Sequence, residues 1–143
     1  MIRTSLLLSS MLLSSAAFAD CRVPESLAGM TFVNVVDPIY SQQNPNAGAI
    51  AKVSYSAEEY LTEFLNREIG PFKGKYRYKV LDKDNGIGLY LGDESLPENK
   101  PTHTVLFKCL TNKRGLAIFT QRVGQNESVG RQNSLVYTIE SHR

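Results

Sequence analysis

The chain has 143 residues, 42% hydrophobic and 21% charged, with two cysteines, no tryptophan and a formal net charge of +2. That length fits one domain and is short for two. So even a charge balance excludes a strong electrostatic case for nucleic acid as a partner. The first residues carry Arg3, an apolar stretch from Leu6 to Leu13 broken by serines, and Ala17-Phe18-Ala19. This reads as a secretory signal peptide over residues 1–19, cleaved after Ala19 and too short to span a bilayer. The remaining 124 residues, 20–143, form a single β-rich domain placed in the periplasm or secreted. In such a compartment Cys21 and Cys109 are expected to form a disulfide. A lipid anchor on Cys21 would want a small residue before it, and Asp20 stands there instead.

Along the mature chain, period two dominates. Phe32 to Val36 is a short β-branched run, and a loop rich in Gln, Asn, Pro and Gly follows from Ser41 to Gly48. Ile50 to Tyr55 predicts a second strand. Ser56-Ala57-Glu58-Glu59 then has the form of a capping box, and Tyr60, Leu61, Phe64 and Leu65 share one helical face, so a helix is expected over 57–68, closed by Gly70-Pro71. From Phe72 to Val80, Lys73, Lys75, Arg77 and Lys79 alternate with Gly74, Tyr76, Tyr78 and Val80, as in a strand with one buried face. Asp84-Asn85-Gly86 supplies a hairpin turn into Ile87 to Leu91. A polar loop from Gly92 to Pro101 precedes a strand pair, Thr104 to Thr111 and Leu116 to Val123. The polar segment Gly124 to Asn133 leads to a last strand, Ser134 to Glu140.

These elements add up to a mainly β fold of about seven strands with one helix, arranged as a small antiparallel β-barrel or a strongly curled sheet. The alternative is an α+β roll with the helix lying across an open sheet. Leu27-Ala28-Gly29-Met30-Thr31-Phe32, Gly74-Lys75-Tyr76-Arg77-Tyr78 and Gly115-Leu116-Ala117-Ile118-Phe119 open their strands with glycine and aromatic residues. In this the chain resembles small exported bacterial proteins of lipocalin-like or calycin-like type, and the resemblance implies a β-barrel.

Motifs for catalysis are sparse. There is no Gly-x-Ser-x-Gly, no His-Glu-x-x-His and no phosphate-binding glycine loop, and nothing implies a cofactor or a metal. Asp82-Lys83-Asp84-Asn85-Gly86 has the alternating oxygens of a calcium loop, but Gly86 and Gly92 stand where ligands are required, so it reads as a plain turn. His103 would need a carboxylate brought to it, such as Asp93, Glu94 or Glu98, to act in acid–base chemistry. His142 lies near the chain end. Tyr76, Tyr78, Tyr90, Phe107, Phe119 and Tyr137 either fill the core or line a cavity for a small apolar or amphipathic ligand. The stripe Lys73, Lys75, Arg77, Lys79, with side chains roughly 7 Å apart, is either a solvated outer face or a dock for an acidic partner.

Two functions are therefore expected. One is a non-enzymatic binding protein that uses the barrel mouth or the outer basic face. The other is an inhibitor or immunity-type protein that blocks an exported cell-wall hydrolase or toxin through its loops. A hydrolase or isomerase built on His103 is a third, less supported by the motifs.

Overall fold

The computed structural model describes residues 21–93, 102–123 and 129–140. Eight strands follow in chain order: β1 (Thr31–Val36), β2 (Ile50–Tyr55), β3 (Glu59–Phe64), β4 (Phe72–Asp82), β5 (Ile87–Asp93), β6 (His103–Thr111), β7 (Arg114–Gln121) and β8 (Gln132–Ile139). Each pairs antiparallel with the next, and β8 returns to β1, so the sheet closes on itself. Phe32 on β1 lies opposite Val53 on one side and Ile139 on the other. That double pairing separates a barrel from the open roll, and it leaves no sheet edge exposed. The architecture is an up-and-down barrel, consistent with a calycin-like fold.

The expected helix over 57–68 is not there, and the strands number eight because β3 takes its place. Ser56 does accept the Glu59 amide on its Oγ at 3.0 Å, the bond a helix cap would make. Its own amide also donates to the Glu59 carbonyl at 2.8 Å, which turns the segment into a tight hairpin. The same serine chemistry serves both structures locally. Pairing decides between them, since Tyr60 sits opposite Tyr55 on β2 and Gly74 on β4. A helix would have left β2 and β4 each with one unpaired edge. Side chains then alternate, with Tyr60 buried and Leu61 36% exposed. Leu65, on the expected helical face, stands in solvent.

The two ends of the barrel differ. Three tight hairpins, β2–β3, β4–β5 and β6–β7, lie at one end, and residues 21–30 cross it. Leu27 is 1% exposed there and packs with Val23 into the core. The expected Cys21–Cys109 disulfide is formed and fastens this segment to β6. Arg22 reinforces it by donating its amide to Asn112 Oδ1 at 3.0 Å. Gly86, at φ +59°, completes the predicted turn, and a Cβ at this position would meet Cys109 Sγ.

Beneath the plug the interior is aromatic. Phe32 stacks on Tyr137 at 5.3 Å and meets Phe107 edge-on at 5.7 Å and Tyr55 at 5.5 Å. The four longer connections all fall at the opposite end, between β1 and β2, β3 and β4, β5 and β6, and β7 and β8. The signal-peptide segment, Glu94, Glu98 and His142 lie outside the described residues, as do parts of the loops expected over 92–101 and 124–133.

Candidate functional site

At that loop end the barrel is hollow. A cavity of about 440 Å³ lies there, within the range of small-molecule sites. Among its aromatic lining stand smaller inward residues such as Ala51, Val53 and Val105, which leave the space open. Tyr55, Tyr60, Tyr90 and Phe107 form its deeper wall. Phe64 and Phe72, with ring centroids 6.2 Å apart, line the β3–β4 side. Ile39 and Tyr40 are more than 70% exposed on the β1–β2 connection, and Leu65 and Ile69 are exposed on the next, so the rim is apolar as well.

The connection between β1 and β2 is held in shape. Asn44 is buried and donates its Nδ2 to the Asp37 and Ile39 carbonyls at 3.2 and 2.9 Å. The Arg67 guanidinium donates to the Ala47 carbonyl at 2.5 Å, tying this connection to the one after β3. Asn66 does the same, accepting from the Ile50 amide and donating to the Gly48 carbonyl. The mouth on this side is therefore a built rim rather than loose chain.

Of the six aromatic residues expected to line a cavity, Tyr90, Phe107 and Phe119 face it. Tyr76, Tyr78 and Tyr137 also pack against the barrel core but do not border the cavity. Tyr76 stacks on Tyr90 at 5.5 Å, and its hydroxyl donates to the Ser56 carbonyl at 2.7 Å. Tyr78 and Tyr137 lie over Gly88 and Gly115, where an added Cβ would collide with their rings. Burial pushes the Tyr137 phenol up to about 12, and burial raises Tyr55 and Tyr78 too. All three are neutral at physiological pH.

His103 is placed by the same use of glycine. It pairs with Gly92 across β5 and β6, and a Cβ on Gly92 would sit 2.3 Å from the imidazole. The ring stacks on Phe119 at 5.1 Å and lies 5.4 and 5.6 Å from Tyr90 and Tyr60. Its Nδ1 is 3.1 Å from Thr102 Oγ1. Burial in this aromatic box lowers the imidazole to about 4, so it is neutral and unsuited to hold a proton near pH 7. Asp93 follows Gly92 on the strand and so falls on the opposite face. No carboxylate borders the cavity among the described residues.

The remaining sequence features lie elsewhere. Lys73, Lys75, Arg77 and Lys79 are exposed on the outer face of β4, with Glu59 and Asp93 opposite Lys75 on either side. The Asp82 carboxylate accepts from the Asn85 amide at 2.9 Å and from its Nδ2 at 2.7 Å. These bonds hold the Asp82 carboxyl below its usual range and close the turn on itself.

A polar side of the cavity escapes a reading built on aromatic residues. Asn34, Gln121, Arg131 and Asn133 border it together with His103. Asn133 is 5% exposed, and its Oδ1 has no hydrogen-bond partner among the described residues; the same holds for Asn34 Oδ1 and Arg131 Nε. A signal for Asn133 was present, because it shares the period-two phase of Leu135 and Tyr137. It was obscured by the polar segment before it, which reads as loop.

No protein-family model, no curated protein and no solved structure matches the chain. Among the described residues no helix is long and apolar enough to cross a membrane. Fold and cavity together define the class: a closed eight-stranded antiparallel barrel, plugged and disulfide-stapled at one end and hollow at the other.

Proposed function

We propose that the protein is a non-enzymatic binding protein that takes a small amphipathic molecule into the mouth of its barrel. The observation that carries this reading is the hollow itself, apolar in its depth and bordered by a buried Asn133 whose Oδ1 has no partner among the described residues. A buried amide oxygen without a partner costs about 1–3 kcal/mol, and a ligand group that meets it recovers that cost. The aromatic wall supplies the apolar contact, and the apolar rim gives the ligand body a path inward. Export belongs to the same reading. The N-terminal pattern supports it, and the disulfide is consistent with it.

The test is native mass spectrometry of the disulfide-intact protein after gentle desalting, beside an Ala51→Phe variant. Ala51 is buried and faces the cavity, so a phenyl ring there occupies the ligand volume. A reproducible added mass that disappears in the variant, while its circular dichroism stays unchanged, supports the reading. A bare wild-type protein that also fails to take up small amphiphiles in titration refutes it.

A further inference from the structure

We infer that the ligand carries a carboxylate head, bound by Arg131 and Asn133 on the β6–β8 side of the mouth, with its apolar body directed toward the aromatic wall. This rests on the cavity reading above and deepens it. Four of the polar lining residues form a row. His103 lies opposite Gln121 in the β6–β7 ladder. The Gln121 amide donates to the Arg131 carbonyl at 2.9 Å, so Arg131 continues the row onto the chain entering β8. Asn133 follows two residues later, opposite Phe119. Three neighbouring segments thus present one polar strip, which Asn34 extends onto β1 beside β8; farther round, Val36, Phe64 and Phe72 are mainly apolar, with Asn46 and Thr62 among them.

Charge selects the head. Arg131 is the single charged residue that borders the cavity among the described residues, and its Nε is buried without a partner. A guanidinium whose Nε is buried beside a cavity that no carboxylate borders among the described residues is unfavourable until an anion arrives. A carboxylate matches its planar fork with two parallel hydrogen bonds. Asn133 can serve the same head, because a half-turn of its amide exchanges the oxygen for an NH2 donor. Gln121 is already engaged, its Nε2 donating to the Val123 carbonyl at 2.5 Å, so it holds the strip in place more than it holds the ligand. A neutral hydroxyl could meet Asn133 but leaves the guanidinium uncompensated, and a cationic head would be repelled.

Calorimetric titration with three twelve-carbon probes below their micellar concentrations separates these cases: dodecanoate, dodecanol and dodecylammonium. Dodecanoate is expected to bind roughly 10- to 100-fold more tightly than dodecanol, the worth of a charge-assisted pair in a partly buried site. Arg131→Met is expected to remove that preference. Arg131→Lys keeps the charge without the fork, and is expected to retain part of the preference; it also serves if the Met variant folds poorly. Equal affinity of the wild type for dodecanoate and dodecanol overturns the carboxylate inference and leaves the cavity reading standing. Binding of none of the three probes by the folded protein overturns both.

Discussion

The staple between Cys21 and Cys109 offers a perturbation whose size follows from the chain path. The two cysteines are 88 residues apart in sequence. Closing a loop of that length in the unfolded chain removes about 15 cal/mol/K of entropy, or about 4.6 kcal/mol at 25 °C. A domain of this size has about 5–15 kcal/mol of stability in all, so the staple represents a third of it or more. In the folded barrel, reduction opens no cavity, since both sulfurs remain and Leu27 and Val23 still cover the plugged end. The assay is urea unfolding followed by far-ultraviolet circular dichroism, with and without a phosphine reductant. The reduced protein is expected to lose about 4–5 kcal/mol and to shift its midpoint by roughly 2–4 M. Its m-value should rise, because an uncrosslinked chain exposes more surface when it unfolds. A loss under about 2 kcal/mol with the barrel intact would refute the reasoning. It would mean that the unfolded chain already keeps residues 21–30 near the β6–β7 hairpin without the bond.

Two further outcomes test other parts of the structure. His103 is neutral in the fold, with its pKa lowered from 6.5 to about 4 by burial. The unfolded chain takes up a proton near pH 6.5 and the folded one only near 4, so this group's contribution is complete above pH 6.5 and is lost as pH falls toward 4. The loss amounts to about 3 kcal/mol. His103→Gln should flatten the difference in stability between pH 7.5 and 4.5, and parallel pH curves for the two proteins would show that the imidazole is protonated in place. Gly86→Ala should cost about 2–4 kcal/mol in urea unfolding, because its φ of +59° disfavours an L side chain and its Cβ would press on Cys109 Sγ. A cost under 1 kcal/mol would mean that the turn and the staple can move apart.

The sequence by itself determined the strands outside residues 57–68 and the disulfide. Alternation in β4 and the Asn85-Gly86 turn are local signals, and two cysteines leave one pairing. Its error at 57–68 has a physical cause: a serine bonding the amide three residues on begins a helix or ends a hairpin equally well. Only the ladders with β2 and β4 choose between them. The candidate site was legible by half. Tyr90, Phe107 and Phe119 could be named from strand phase, but phase cannot say which inward residues fill the plugged end and which border a hollow. Depth along a barrel depends on register and closure, which arise only when β8 meets β1. The row of His103, Gln121 and Arg131 likewise joins residues far apart in the chain through ladder register alone. Local chemistry fixed the elements, and long-range pairing fixed where they open.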